Sequence, residues 1–316
     1  MRAAARRPAT HAEDEYHMQD SFHIAEEATN VCAHTVWRDA ESARLATERL
    51  LRIAKRTRRR VHVLHITTAG KVTFLATHKD VATVEYTPQH LILSSPDLYD
   101  RLRPFAQINS PIRDAHHRAK LWTGVQSGVL DVFGFGHAPH TREENPGTYP
   151  NTPSGMPGVQ ILVPVMLNHV HEGRLSLERF VDLTAHGPQR IYNIAGKGRL
   201  AVGYDADFTL TDLQGTRTIT DDWIVRKCGW TPFIDMKTTG YDHSRCRSHA
   251  RRRSAGQPHR NAGSVSGHDG QELSFGSDRN FITVQIGEVQ SAAAKEIENW
   301  FHNITTRRFN AFQNIR

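Results

Sequence analysis

Apolar and polar positions alternate between helical and strand-like patterns along the first two thirds of the chain. Apolar residues recur at helical spacing over residues 39–57, and Asp39 can cap this predicted helix. A strand is predicted over residues 61–66, where alternate side chains, His65 among them, share one side. The same patterns predict further helices at 69–77, 114–127, 159–171 and 176–186, and strands at 81–86 and from residue 129. This alternation indicates βα units and a parallel sheet, in a doubly wound fold or a (β/α)8 barrel.

The strand that begins at residue 129 runs into a histidine-bearing loop, VLDVFGFGHAPH. Its apolar run passes through Gly134 and Gly136 and reaches His137 and His140. Glycine and proline bound the run, as is typical of a buried strand of a parallel sheet. Because such folds carry their chemistry at the carboxyl ends of the strands, this loop is a candidate functional segment.

The last third of the chain has a different character. Gly196–Leu200 and Gly203–Leu210 are predicted to be short strands joined by glycine turns, which makes residues 193–241 a small β appendage to a barrel-like part at 1–192. Residues 242–272 are polar, basic and poor in aliphatic side chains, so they are predicted to be a disordered linker. Residues 273–316 regain apolar positions and form a short α/β tail without an assignment.

Composition and charge narrow the function classes. The net charge of +7 could indicate nucleic acid, but the basic clusters at 56–60 and 245–253 have no interleaved aromatic residues to stack on bases, so no nucleic-acid partner is expected. No apolar run is long enough for a membrane span, and the N-terminal residues lack the apolar segment of a secretory signal. The three cysteines have no CxxC spacing, which suits a protein of the reducing cytoplasm.

Histidines mark several predicted strand ends, at His11, His65 and the His137/His140 loop. Neutral imidazole is a good ligand for zinc, so imidazoles that converge at one end of a sheet would suit a divalent metal ion. The chain contains 20 histidines, and any one of them is more often a surface or core residue than a ligand. His65 is favoured because it ends a strand, whereas His62 points to the opposite face.

A series of motifs spread over residues 6–241 resembles the bacterial dihydroorotases of the amidohydrolase superfamily. In chain order they are HAEDE, VHVLHITTAG, TVEYTPQHL, AQINSPIRD, GHAPHTREEN, PSGMPGVQ, GKGRLAVGYDADFTLTDL and KCGWTPF. The GYDAD motif indicates only the superfamily. HAPH together with PSGMPG and CGWTP narrows the resemblance to dihydroorotase.

The resemblance implies a zinc-dependent hydrolysis of a cyclic amide, from dihydroorotate to carbamoyl aspartate in pyrimidine biosynthesis. It implies a (β/α)8 barrel with a small β-sandwich, and two zinc ions at the carboxyl mouth of the barrel. By motif, His11 and His65 correspond to zinc ligands. The motif positions that contact substrate correspond to Asn109, His140, Ser154 and Gly155.

Two departures from the family pattern change this expectation. The family loop reads Asp-His-Ala-Pro-His, and its Asp is both a metal ligand and the general acid/base, whereas this chain has Gly136 there. No catalytic residue is therefore assigned. The family's His-x-His strand lies upstream of HAEDE, and this sequence begins about ten residues before that motif. The expected fold is an α/β structure, a partial (β/α)8 TIM barrel of the metal-dependent hydrolase type with a small β appendage.

Three functional alternatives remain at this point. The first is a dihydroorotase-like enzyme whose activity is impaired or lost. The second is a non-catalytic, dihydroorotase-like scaffold for aspartate carbamoyltransferase. The possible protein partners are that enzyme or further copies of this chain in a homo-oligomer. The third is a degraded fragment whose open sheet edge favours aggregation. We expect the purified chain to bind fewer than two zinc ions and not to turn over dihydroorotate.

Overall fold

A four-stranded parallel sheet forms the centre of the molecule. The computed structural model describes residues 7–144, 147–205, 207–246, 265–267 and 281–284. The strands of this sheet lie in chain order: β1 (Ala9–Thr10), β2 (Val61–Val63), β3 (Ala82–Tyr86) and β4 (Val132–Phe133). Every neighbouring pair is parallel. The predicted α/β class is therefore confirmed, and the sheet remains open rather than closing into a barrel within the described residues.

Helices connect and cover the strands. Their bounds are α1 Glu15–Asp20, α2 His23–Glu26, α3 His34–Trp37, α4 Ala40–Thr57, α5 Ala69–Ala76, α6 Pro88–Ile92, α7 Asp97–Leu102, α8 Ala115–Gln126, α9 Leu162–His171, α10 Leu177–Val181 and α11 Gly187–Tyr192. Short 3-10 turns occupy Val31–Ala33, Arg103–Ala106 and Asp221–Trp223, and a π-helical turn over Asp182–His186 joins α10 to α11. Within the described ranges, no helix has both the length and the apolar character needed to cross a membrane.

The longest predicted helix is confirmed as α4, and its local sequence explains both of its ends. The carboxylate of Asp39 accepts a hydrogen bond from the backbone N–H of Ser42 at 2.7 Å, which caps the first turn. The helix ends at Thr57, and the left-handed φ of 51° at the capping residue Arg58 lets its N–H reach the carbonyls of the last turn.

The main core lies between the helices and one face of the parallel sheet. Alternate strand residues such as Val63 and Val84 are fully buried there against Leu51 of α4 and Leu75 of α5. The opposite face carries polar side chains: His62 of β2 bonds Thr83 of β3 through its Nδ1 at 2.9 Å. His62 therefore points away from the helix-covered core.

The strand predicted over residues 61–66 is shorter than expected. β2 ends at Val63, and His65 has a φ of 32°, which breaks the two-residue alternation. The prediction that His65 continues one side of the strand is wrong. Its side chain lies beyond the carboxyl end of β2, where functional residues of parallel sheets are found.

A second, antiparallel sheet follows, and it corrects the expectations for the last third of the chain. Its order is β7 (Val265–Gly267), β6 (Lys237–Cys246), β5 (Phe208–Thr218) and β8 (Phe281–Val284). Residues 196–200 form turns rather than the predicted strand, and β5 begins only at Phe208.

The expected boundary between residues 241 and 242 falls inside β6, which continues to Cys246. Short pieces of the predicted linker and tail, β7 and β8, pair with β6 and β5. β6 and β7 place strand residues at 242–246 and 265–267, within the predicted linker. The rest of the predicted linker and tail lies outside the described residues, so the domain division there stays a prediction.

Candidate metal and substrate site

The structure brings His11 and His65 together at the carboxyl end of the parallel sheet. His11 directly follows β1 and His65 follows β2, and these strands are neighbours. Nδ1 of His11 lies 3.3 Å from Nε2 of His65, and the ring centroids are 5.0 Å apart. The two predicted ligand positions are therefore adjacent, and their role as ligands stays a prediction.

The second ring nitrogen of His11 is held by a buried carboxylate. Nε2 of His11 lies 3.0 Å from Oε2 of Glu13, whose side chain is 0% exposed. Nη1 of Arg38 contacts the same oxygen at 2.6 Å. Burial alone would raise the pKa of Glu13, but the hydrogen bond with His11 and the charges of Arg38 and Arg113 outweigh it and hold that pKa far below its usual range. Glu13 therefore carries a negative charge next to the ring of His11.

His65 is held with one nitrogen directed at His11. Its backbone N–H donates to Oε1 of Glu85 at 3.3 Å, while its Nδ1 has no hydrogen-bond partner. Loss of solvent around the ring, followed by the nearby charges of His11, His90 and Lys71, lowers the pKa of His65 well below its ordinary value. The ring is therefore neutral at physiological pH, the form that binds metal ions.

A third histidine, His90 on α6, lies behind the pair and was not assigned a role from the sequence. Its ring is nearly parallel to that of His65, with centroids 6.5 Å apart. Both of its nitrogens are engaged, Nδ1 with the hydroxyl of Thr87 at 2.7 Å and Nε2 with the carbonyl of Ser110 at 3.0 Å. Burial lowers the pKa of His90 to about 4. His90 therefore serves as packing behind His65.

Asn109, a predicted substrate contact, is exposed but anchored through its amide oxygen. The buried His34 reaches both Oδ1 of Asn109, at 3.0 Å, and the carbonyl of Ile108, at 3.2 Å, through its Nε2. Because a carbonyl can only accept, Nε2 of His34 carries the hydrogen. The amide oxygen of Asn109 is thereby fixed toward His34, which leaves its NH2 group facing away. Sequence reasoning missed His34, because it lies in a segment that showed no regular pattern.

The predicted contacts Ser154 and Gly155 are held by Gln107. Nε2 of Gln107 donates to the hydroxyl of Ser154 at 2.9 Å, and the N–H of Gly155 donates to the carbonyl of Gln107 at 2.9 Å. A Cβ at Gly155 would lie only 2.2 Å from the carbonyl oxygen of Ala138. Glycine is required there because the PSGMPG and HAPH loops pack backbone to backbone.

The HAPH loop has fewer groups for metal binding and acid–base catalysis than the family's Asp-His-Ala-Pro-His loop. Gly136 has a left-handed φ of 52° and no side chain. His137 accepts the N–H of Gly158 at its Nδ1 at 3.1 Å, and burial together with Arg226 lowers its pKa to about 4. The carbonyl of His140 accepts a hydrogen bond from Nε1 of Trp230 at 2.8 Å. Nδ1 of the His140 imidazole lies 3.7 Å from Oε2 of Glu144. The imidazole of His140 is half-buried at the edge of the loop.

The residues fit part of a zinc site. Zinc–nitrogen bonds of about 2.0–2.1 Å in a tetrahedron separate two ligand nitrogens by about 3.3 Å, and His11 Nδ1 and His65 Nε2 have this separation. Within the described part of the chain, no group of three or more His, Cys, Asp or Glu side chains is arranged to hold a metal ion. The side chains present thus fit a two-histidine position and do not fit a complete two-zinc centre.

A family model described as "Amidohydrolase family" matches residues 3–240, about three quarters of the sequence. This chain belongs to the amidohydrolase family. Solved amidohydrolase-like structures confirm the partial barrel. An L-hydantoinase from Arthrobacter aurescens superposes with a TM-score of 0.73 at 25% identity, over 84% of this chain and 58% of its own. A dihydropyrimidinase from Brevibacillus agri gives 0.69 at 24% identity, over 75% and 54%, and shows the fold alone.

Curated relatives of this amidohydrolase are dihydroorotases, in agreement with the resemblance of the motifs. The dihydroorotase of Halobacterium salinarum is 37% identical over 224 residues, which are 71% of this chain and 51% of that protein. The dihydroorotase of Methanosarcina acetivorans is 32% identical over 72% of this chain and 50% of its own length. The chain therefore spans about half the length of the curated relatives it matches.

Proposed function

We propose that this chain is a dihydroorotase-type amidohydrolase, derived from enzymes of pyrimidine biosynthesis in the cytoplasm, whose ring-opening activity is lost or strongly reduced. The matches to dihydroorotases support the family and substrate class. The observation that carries the loss of activity is Gly136, which stands where the family has its acid/base aspartate. General acid–base catalysis contributes about 10²–10⁴-fold to a rate, and glycine cannot move a proton.

Zinc is the metal that this site would take. His11 would bind through Nδ1 and His65 through Nε2, with Glu13 orienting His11. Zinc, when bound, would lower the pKa of a coordinated water and polarise the amide carbonyl of the substrate. The described residues offer only these two imidazoles for it, so we propose that zinc binds weakly and to fewer than two sites.

The substrate would be a cyclic amide of the dihydroorotate class. Asn109 would present its NH2 group, because His34 engages its oxygen. Ser154 can still donate its hydroxyl hydrogen, since that oxygen accepts from Gln107. Gly155 would contact the substrate through its backbone, and His140 would contact the substrate from the HAPH loop. These residues bind and orient a cyclic amide, but none of them replaces the missing acid/base.

Metal analysis combined with a turnover assay tests the proposal. The purified chain is incubated with excess zinc, freed of unbound metal, and assayed for zinc content and for ring opening of dihydroorotate. We expect fewer than two zinc ions per chain and no turnover above the rate without protein. Two zinc ions per chain together with measurable ring opening would contradict the proposal.

The same glycine favours a second candidate function, a non-catalytic scaffold for aspartate carbamoyltransferase. A scaffold needs a folded surface but no proton carrier, so Gly136 would be tolerated. Sedimentation of the chain with aspartate carbamoyltransferase distinguishes the two candidates. A faster-moving complex would support the scaffold, and independent sedimentation of two folded proteins would exclude it.

A further inference from the structure

We propose that Glu13, clamped by Arg38, is a positioning residue that fixes the ring orientation and tautomer of His11, so that Nδ1 of His11 faces the same point as Nε2 of His65. This inference rests on the proposed two-histidine metal position. It identifies the residues that hold His11 in the orientation that this position requires. Glu13 does not touch the reacting atoms in this proposal. It acts entirely through His11.

The tautomer follows from the hydrogen-bond partner. Oε2 of Glu13 lies 3.0 Å from Nε2 of His11 and 2.6 Å from Nη1 of Arg38, so this carboxylate oxygen accepts from both groups. Nε2 of a neutral His11 therefore carries the hydrogen, and its Nδ1 keeps a free lone pair. That lone pair is the one that lies 3.3 Å from Nε2 of His65. Carboxylates that orient metal-binding histidines in this way raise ligand basicity.

The carboxylate itself is fixed by contacts on several sides. Nη1 of Arg38 binds Oε2 of Glu13 at 2.6 Å, and the Arg38 guanidinium stacks over the Trp37 ring at 4.8 Å. The backbone on either side is also held. The carbonyl of Ala12 accepts from Nζ of Lys71 at 3.2 Å, and the N–H of Asp14 donates to the Ser42 carbonyl at 3.0 Å. Glu13 therefore has little freedom to leave His11.

A purely structural ion pair would explain these contacts less well. The second oxygen of Glu13, Oε1, is buried without a hydrogen-bond partner. An unsatisfied buried acceptor costs free energy, and buried ion pairs contribute little net stability. The arrangement therefore costs folding free energy. Its benefit is that it gives His11 a defined tautomer.

The test is Glu13→Gln in the purified chain, with Glu41→Gln as the matched control. Glu41 is an exposed residue of α4 that pairs with Arg44, and it has no part in the proposed positioning of His11. Zinc affinity is measured by competition with a chromophoric chelator. The His11 tautomer is read from its ring ¹⁵N shifts in the metal-free protein at a pH where the ring is neutral.

We expect Glu13→Gln to weaken zinc binding by about 10–100-fold and to shift His11 to a mixture of tautomers. Glu41→Gln should change neither measurement. If Glu13→Gln keeps both the zinc affinity and the Nε2–H tautomer of the parent chain, the proposal is wrong. If the variant does not fold, Arg38→Gln replaces it: without the clamp on Glu13, zinc binding should weaken and the His11 tautomers should mix, and no change in either would contradict the proposal.

Failure of the proposed function is distinguishable from failure of this inference. A parent chain that takes up no zinc would refute the two-histidine metal position. The tautomer measurement needs no metal, so it would still decide whether Glu13 fixes His11.

Discussion

Gly136 differs from most glycines of the site in having room for a side chain. A Cβ at this position would meet only Thr87, with its Cγ2 at 3.4 Å, which is an ordinary contact. Its φ of 52° lies in the left-handed region, which Asp and Asn tolerate better than other side chains. The neighbouring Gly134 is different, because a Cβ there would lie 2.2 Å from the carboxyl carbon of Glu85. The loop can therefore accept the family's aspartate at residue 136 without repacking.

Restoring that aspartate should strengthen metal binding. Gly136→Asp adds a carboxylate at the family's ligand position, so we expect zinc affinity to rise at least about tenfold, or about 1.4 kcal/mol. Gly136→Asn is the matched control, because it has the same size and the same left-handed tolerance but no charge. Both should cost about 1 kcal/mol of unfolding free energy from the left-handed backbone. Equal zinc affinity of the two variants, measured by chelator competition, would show that residue 136 does not face the metal position.

At the residue scale, the sequence was sufficient to predict contacts that follow from strand order. It was insufficient to predict contacts that depend on side-chain packing. The proximity of His11 and His65 could be expected because each follows a strand of a parallel sheet. Glu13 stands in the HAEDE motif, but its role depends on Arg38, 25 residues later. His34 could not be found, since its contact with Asn109 joins residues 75 positions apart and leaves no periodic signal.

At the scale of elements, helices with local caps were predictable, whereas among the strands of the parallel sheet only β3 agrees closely with its predicted bounds. Asp39 caps α4, Thr68 caps α5 and Asp114 caps α8, and each of these helices begins within a residue of its predicted start. Strand length depends on pairing with neighbours. For this reason β2 stops at Val63, and β6 passes through the compositional boundary at 241/242 to pair with β5 and β7.

Two short helices carry buried histidines that make stability depend on pH. Burial, the largest effect, lowers the pKa of His34 on α3 and of His90 on α6 from 6.5 to about 4. The unfolded chain therefore binds more protons than the folded chain between these values, and stability falls as pH drops from about 6.5 to about 4. Above pH 6.5 both states are neutral, and these residues add no pH dependence.

We expect each of these two histidines to account for about 3 kcal/mol of this loss, because one pKa unit corresponds to about 1.4 kcal/mol. Urea unfolding between pH 4 and pH 8 measures the effect. His34→Gln cannot take up a proton and can still donate to Asn109, so it should flatten the profile, as should His90→Gln. Profiles of both variants that fall as steeply as that of the parent chain would assign the pH dependence to other groups.

At the scale of the whole molecule, the parallel and antiparallel sheets meet where α9 packs against β6. The N–H of Thr239 donates to Oδ1 of Asn168 at 2.9 Å. A Cβ at Gly240 would lie 2.8 Å from that of Leu167, so the strand passes close to the helix. Asn168 is itself oriented, because its Nδ2 donates to Oε1 of Glu172 at 2.8 Å. One amide side chain thus joins the helical layer to the second sheet.

Asn168→Ala should therefore loosen β6 without disturbing the histidine pair. The variant leaves the Thr239 N–H without its acceptor, at a cost of about 1–3 kcal/mol. Glu172→Gln is the control, since the amide oxygen of the glutamine can still accept from Asn168. The change also removes half-exposed ion pairs, and such pairs contribute less than about 1 kcal/mol. Hydrogen exchange should show faster exchange of the Thr239 amide and its β6 neighbours in Asn168→Ala than in the control, with β2 and β3 unchanged. Equal protection of β6 in both variants would mean that packing at Gly240, and not this hydrogen bond, holds the second sheet against α9.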